Sequence, residues 1–332
     1  MKCGPANNGK RMNDEKTEPL TYKGTVVDMS PGAFGKLTDA SKDLGDRQAL
    51  HHRMVSDGYL FFPSYLDRQE VISGRMSVLE RLANRGAIDS AYPLEEGVLK
   101  PEFEISWAPE LAKNNAELLQ VVYGRRMIEF YEFFLGGPIR HFDYTRFRAK
   151  APSRQNATQP HCDIVFMGRG TKNLYTSWTP FCDIPYDMGG LMILEGSHLQ
   201  DQIRNTYGQT DVDAYCANER EVAVIIAKAQ ADNRELTGEE QRNIRWESQG
   251  HFKDAIELRA DLGGRWLSAE YHMGDLLVFG MYTMHASTDN QTRYIRLSSD
   301  TRYQLASEPV DERWIGNNPI THTIRAKRST IC

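Results

Sequence analysis

At Gly136-Gly137 the spacing of apolar residues changes period, and few architectures accommodate what lies on both sides. Upstream the repeat is helical. Asp67 followed by Glu70 has the layout of a helix N-cap with a reciprocal carboxylate. Val71, Ile72, Met76, Leu79 and Leu82 continue at helical spacing towards Gly86. A second helix is expected over roughly 108–135, with Leu111, Leu118, Leu119, Val122, Ile128 and Phe133 as its buried stripe and the two glycines as its stop. Before these, a helical segment from Gln48 leads into YLFF (59–62), a strand-length run ending at Pro63.

Downstream the period is two. Strand-like runs fall at 139–148, 157–166, 174–181, 191–195, 256–259, 266–272, 275–282 and 292–303. Clusters of Gly, Pro, Asn and Asp separate them, and no helix of crossover length alternates with them, so the sheet is expected to be largely antiparallel. The closed solution is a double-sheet jelly roll. The expected class is therefore α+β: a double-stranded β-helix core with N-terminal helices and a partly helical insertion at 200–255, in which EVAVIIAKAQ (221–230) is the clearest helix. An interruption of that length points to a lid or binding segment. Residues 1–25, poor in hydrophobes, are expected to form a flexible tail. Residues 26–332 then form a single domain: a mainly helical part at 26–137, the core at 138–305 and a C-terminal extension at 306–332.

Composition narrows the function. Apolar residues make up 40% and charged residues 26% of the 332, ordinary values for a globular protein, and no run is long enough to span a bilayer. With a net charge of -5 and basic residues spread along the chain, nucleic acid is not an expected partner. The five cysteines are odd in number and form no C-x-x-C pair, which fits a reducing interior better than a disulfide framework or a thiolate zinc site. The first twenty residues lack a signal-peptide core and the ending STIC is no lipidation or peroxisomal signal, so the expected address is the cytoplasm.

The chemistry begins with H-x-D, because residues i and i+2 of a strand share a face and can grip one ion with an imidazole and a carboxylate. The pattern occurs twice, at His141-Phe142-Asp143 and His161-Cys162-Asp163. Two histidines and one carboxylate on one side of an iron leave positions open for a chelating cosubstrate and oxygen, so a distant third ligand is required. His285 qualifies, following the turn Gly274-Asp275 and the strand LLVF (276–279); His272, before that turn, is its rival. Eleven residues beyond His285 stands Arg296, in RYIRLSSDTRY. Alternation puts Tyr294, Arg296, Ser298 and Arg302 on one face. If that face is interior, Arg296 needs a carboxylate, and the distal carboxylate of 2-oxoglutarate meets the need. A structural reading pairs Arg296 with Asp300 or Glu270 instead.

The segments TQPHCDIVF, LYTSWTP, GGLMILEGSH, GDLLVFGMYTMHAST and RYIRLSSDTR together resemble the phytanoyl-CoA dioxygenase family of iron(II) and 2-oxoglutarate oxygenases. The resemblance covers about residues 48–83 and 139–305. It implies His161, Asp163 and His285 as iron ligands, Arg296 for the distal carboxylate, and Trp178, Ser287 and Gln159 as further cosubstrate contacts. It also implies Fe(II) as cofactor, 2-oxoglutarate as cosubstrate, ascorbate as an accessory reductant, and a small organic molecule and dioxygen as reaction partners. Asp163 argues against halogenation, which needs a small residue at that position to admit halide. The segment 200–255 and the ending SEPVDERWIGNNP fall outside the family's shared core. Gly196-Ser197-His198 reads as a structural turn, and Arg169, Lys172 and Asn173 in GRGTKN as a solvated loop. Two other functions share the fold: a jelly-roll isomerase or hydrolase on another metal, without 2-oxoglutarate, and a non-catalytic metal- or ligand-binding protein.

Overall fold

The computed structural model describes residues 19–105, 107–216, 220–240 and 254–330. Most of the expected tail, 1–18, lies outside the described residues; its remainder is ordered into a hairpin, β1 (Thr21–Tyr22) and β2 (Thr25–Val26). The hairpin is held because Thr21 Oγ1 donates to the buried carboxylate of Asp289 at 2.8 Å. β3 (Phe34–Lys36) follows, then α1 (Arg47–Asp57), β4 (Tyr59–Phe62) and α2 (Arg68–Asn84). As expected, Asp67 caps α2, accepting from the backbone N–H groups of Gln69 and Glu70.

The single helix expected over 108–135 is two, α3 (Ala116–Tyr123) and α4 (Arg125–Leu135), parted by Gly124. Gly124 is extended (φ -71°, ψ 174°), and a Cβ there would stand 2.0 Å from the carbonyl oxygen of Gln120. The expected stripe does not continue across the break: α3 buries Leu118 and Val122, but in α4 the buried side chains include Met127, Phe130, Tyr131 and Phe134, while Ile128 is half-buried and Phe133 is exposed.

The core comprises β5 (Ile139–His141), β6 (Arg146–Lys150), the single turn α5 (Ile164–Met167), β7 (Tyr175–Pro180) and β8 (Leu191–Leu194). The interrupting segment carries α6 (Asp201–Asn205), β9 (Ala214–Cys216), α7 (Arg220–Ala231) and α8 (Ala255–Leu262). The core resumes with β10 (Trp266–Ser268), β11 (Leu276–Gly280), β12 (His285–Ser287) and β13 (Arg296–Leu305), and β14 (Arg328–Thr330) lies in the C-terminal extension.

Three strand expectations fail. The run 256–259 lies inside α8, because Asp254 caps it by accepting from the N–H groups of Ile256 and Glu257. The run 157–166 contains no strand and ends in α5. The run 139–148 is split into β5 and β6. β12, too short to show a period, is absent from the expected runs, although His285, expected on a late strand beside the first ligand segment, opens it and pairs antiparallel with His161.

One sheet has the order β4-β11-β7-β13-β5, with β6 also pairing β13; the other has the order β12-β8-β10-β3. Every pair in the larger sheet is antiparallel, while β3 joins β10 in parallel. The two sheets form a double-stranded β-helix, and α1 to α4 cover the outer face of the larger one. Alternation along β13 sends Leu297 and Tyr303 outward into that helical layer, where Tyr303 stacks on Tyr131 with ring centroids 4.1 Å apart. Arg296, Ser298, Asp300 and Arg302 point inward. The neighbouring β6, in register Arg296↔Lys150 and Asp300↔Arg146, likewise turns Arg146, Arg148 and Lys150 inward.

Candidate metal centre

His161 and Asp163 lie between β6 and β7, and His285 opens β12. His161 forms an isolated antiparallel bridge with His285, each backbone N–H donating to the other's carbonyl at 3.0 Å, and this sets the two rings 4.2 Å apart. Asp163 then leaves the extended conformation (φ -63°, ψ -22°) at the start of α5. The H-x-D geometry therefore arises from a bridge followed by a helical turn, not from two residues on one face of a strand.

One ligand atom from each of His161, Asp163 and His285 lies within 4.8 Å of the others. The remaining polar atoms of all three are engaged by the protein. His161 Nδ1 meets the carbonyl of Gln159 at 2.8 Å and His285 Nδ1 that of Thr283 at 3.0 Å, which assigns the proton to Nδ1 and leaves each Nε2 with a lone pair. Asp163 Oδ2 accepts from Thr176 Oγ1 at 2.5 Å and from Arg302 Nη2 at 2.8 Å. Asp163 Oδ1 is buried without a partner, 4.0 Å from His285 Nε2. A buried carboxylate oxygen left facing two imidazole lone pairs suits a divalent cation, and a set of two histidines and one carboxylate suits iron(II) with open positions.

Electrostatics hold the triad in its ligand form. Burial lowers both imidazoles, His161 well below its ordinary value, so both are neutral at pH 7. Burial alone would raise Asp163, but Arg302, then His285 and His161, outweigh it and hold the carboxyl far below the usual carboxylate range.

Beside the triad lies a cavity whose lining includes Thr158, Trp178, Leu191, Ser287, Arg296 and Asp300. Arg296 is 1% exposed, and its Nη2 donates to Ser298 Oγ at 2.9 Å while Nε and Nη1 are buried without acceptors. Its structural partners do not materialise: Asp300 is taken by Arg148 at 3.3 Å, and Glu270 is exposed. Burial pulls the Arg296 guanidinium down to about 10. Trp178 lies under it, 5.7 Å from ring centroid to Cζ. Ser287 Oγ accepts from Lys150 Nζ at 2.7 Å and from the Thr158 N–H at 2.9 Å. The Gln159 side chain is exposed, and only its carbonyl reaches the site, through His161.

The other histidine candidates are placed elsewhere. His141 stacks on Tyr123 at 4.0 Å between centroids, and Asp143 accepts from the Gly316 N–H at 2.6 Å. His272 is exposed near Asp183. His198 packs its ring on Gly58 and bonds the carbonyl of Val55 at 2.9 Å, which bears out the structural reading of Gly196-Ser197-His198. GRGTKN is solvated at Lys172 and Asn173, which are exposed, but tied down at its start, where half-buried Arg169 pairs with Asp211 at 2.6 Å; Asn173 also donates to Glu308 at 2.9 Å. The support for Asp163 from Thr176 and Arg302 was missed. The alternation of β13 placed Arg302 inside, but which residue it would meet depends on how β13 and α5 pack.

A double-stranded β-helix with two histidines and a carboxylate converging inside it defines a mononuclear metalloprotein architecture. The chain belongs to the phytanoyl-CoA dioxygenase (PhyH) family, whose sequence profile matches residues 133–298, half of the chain, including the triad and Arg296. It is similar to the 1-deoxypentalenic acid 11-beta-hydroxylase of Streptomyces exfoliatus, 27% identical over 167 residues. That match spans 48% of this chain and 57% of the hydroxylase, little more than half its length. Among solved structures, the non-heme alpha ketoglutarate dependent carbocyclase SnoK from nogalamycin biosynthesis superposes with a TM-score of 0.52 at 18% identity, covering 78% of this chain and 84% of its own. EctD from S. alaskensis, solved with 2-oxoglutarate and 5-hydroxyectoine, gives 0.51 at 15% identity, covering 96% and 97%. These likenesses establish the fold.

Proposed function

We propose that this chain is a non-haem iron(II) and 2-oxoglutarate-dependent dioxygenase that hydroxylates or otherwise oxidises a small organic molecule. The observation carrying the proposal is the pairing of two unmet demands in one interior: Asp163 Oδ1 faces two imidazole lone pairs without a partner, and Arg296 aims two unpartnered N–H groups into the adjoining cavity. When bound, iron(II) and 2-oxoglutarate supply coupling of cosubstrate decarboxylation by dioxygen to oxidation of a substrate C–H bond.

The residues of this chain bind and orient. His161, Asp163 and His285 hold the metal, their directions set by Gln159, Thr176, Arg302 and Thr283. Arg296 holds the distal carboxylate, kept in place by Ser298 and by the face of Trp178. Lys150 keeps Ser287 oriented at the cavity wall. Asp163 excludes halide by filling its position, so halogenation is not the outcome. Ascorbate fits as a reductant that rescues uncoupled enzyme. Two buried free cysteines, Cys162 and Cys182, fit a reducing cytoplasm, and among the described residues no helix is long and apolar enough to cross a membrane.

The test is to add iron(II) and 2-oxoglutarate anaerobically, follow the visible charge-transfer absorption, then admit air with ascorbate and a metabolite pool and measure succinate. An absorption band and metal-dependent succinate are expected. Neither appearing would reject the proposal.

A further inference from the structure

Arg146 is a second interior arginine without a carboxylate, and it stands apart from the cavity that Arg296 serves. It is 7% exposed, its Nε is buried without a partner, and its Nη2 makes one long contact, 3.5 Å to His322 Nε2. Among the described residues, no carboxylate lies within ion-pair distance of it. Burial, and after it Arg302, pulls its guanidinium down to about 9, and the more distant Asp163 and Asp300 do not offset them.

Aromatic rings surround it. Its Cζ lies 5.3 Å from the ring centroids of Trp107 and Trp314 and 5.6 Å from that of Phe166. Phe166 in turn meets the ring of His161 edge-on at 5.4 Å, so the guanidinium is one aromatic ring away from the metal triad. Trp107 is 42% exposed and also lies under Arg148, which lines the cavity beside the triad. Arg146 thus lies directly beneath an exposed indole.

Charge points the same way. Inside the sheet, Arg146, Arg148, Lys150, Arg296 and Arg302 face Asp163, Asp300 and, beside Lys150, the buried Asp289, a surplus of two cations. A divalent metal and a doubly charged cosubstrate add no net charge, so the surplus persists when both are bound. Of the two cations left without an ion-paired carboxylate, Lys150 is saturated by Asn156 and Ser287, and Arg146 is not.

We infer that Arg146, within the aromatic enclosure of Trp107, Phe166 and Trp314, binds the carboxylate of the primary substrate, which is therefore an acid with an apolar body. The inference rests on the oxygenase reading, since it places that carboxylate one ring from the metal. A guanidinium suits a planar carboxylate, and the indole faces flanking it suit hydrocarbon better than further polar groups. Trp107 and Trp314 lie outside the family match at 133–298, as expected of residues that choose a substrate.

The test uses the whole chain, loaded anaerobically with iron(II) and saturating 2-oxoglutarate so that the Arg296 cavity is filled. Octanoate and 2-naphthoate are titrated against octanamide and 2-naphthamide, following tryptophan fluorescence. The acids are expected to bind at least about tenfold tighter than the amides, the worth of a hydrogen bond to a charged group, and Arg146→Gln should erase that difference while Arg146→Lys keeps part of it. Equal binding of acid and amide by the wild type overturns the inference without need of any variant, as does failure of both acids to bind. Should the wild type take up no iron and no 2-oxoglutarate, the oxygenase reading fails instead, and the acid-to-amide ratio on the metal-free chain still reports on Arg146.

Discussion

His141-Phe142-Asp143 and His161-Cys162-Asp163 spell the same pattern twenty residues apart, and the protein treats them oppositely. In the first, the imidazole stacks flat on Tyr123 and the exposed carboxylate, its Oδ1 3.9 Å from His141 Nδ1, turns its other oxygen to the Gly316 N–H. In the second, a backbone bridge to His285 fixes the imidazole, and a helical turn swings the carboxylate towards the same point. Both aspartates have hydrogen-bond partners, but only Asp163 keeps one oxygen buried and unclaimed. What makes a ligand set is therefore not the spacing. It is that the fold engages every polar atom except the ones that face inward together.

The sharpest way to break this contrast is to remove each carboxylate. Asp163→Asn should reduce iron affinity by more than the roughly 10–100-fold typical of a supporting contact, measured by anaerobic titration, whereas Asp143→Asn should leave it unchanged. Equal effects would mean that the two segments were wrongly told apart. Next, Arg302→Met removes the guanidinium that is ion-paired with buried Asp163, so a loss of about 3–5 kcal/mol in metal-free stability is expected by denaturant unfolding. Arg296→Leu should weaken 2-oxoglutarate about tenfold or more by removing a charge-assisted contact, with iron affinity far less affected. Thr176→Val removes one of the two bonds to Asp163 Oδ2 and should cost about tenfold in iron affinity.

The smallest effect is on pH. His161 and His285 have folded pKa values below the unfolded one of about 6.5, so the unfolded chain binds protons first as pH falls. Their contribution to metal-free stability is present above about pH 6.5 and lost below it, as a falling Tm would register. His161→Gln/His285→Gln should flatten that decline, and a decline just as steep in the double variant would place its origin elsewhere.

Much of this was legible in the sequence, for identifiable reasons. The strand alternation of RYIRLSSDTRY placed Arg296 and Arg302 inside because a strand's faces follow from parity alone. His285 was legible from its position after a turn and an apolar strand. The break at Gly124 was not, since MIEFYEFFL offers apolar residues on more than one face and α4 buries a different one from that expected, and neither was α8, where the cap at Asp254 overrides β-compatible residues. RFRAK carried a visible alternation of cations, Arg146, Arg148 and Lys150, but nothing local says that Arg146 finds aromatic rings while Arg148 finds Asp300. Those partners come from 107, 166, 314 and 300, brought together only by the closed fold.

A single strand, β13, carries both Arg296 and Arg302, the first serving the cavity's far end and the second steadying the ligand at its near end. Because both are fastened to one backbone, paired in antiparallel register with β6 and β7, their separation is a ruler that loop movement cannot stretch. With Arg296 holding the distal carboxylate as proposed, oxo-diacids one methylene shorter or longer than 2-oxoglutarate would meet a fixed gap, and the choice of cosubstrate length would be made by strand rise. An insertion or deletion of one residue between positions 296 and 302 would reverse the facing of one of the two arginines relative to the other, so that both could no longer point into the same interior.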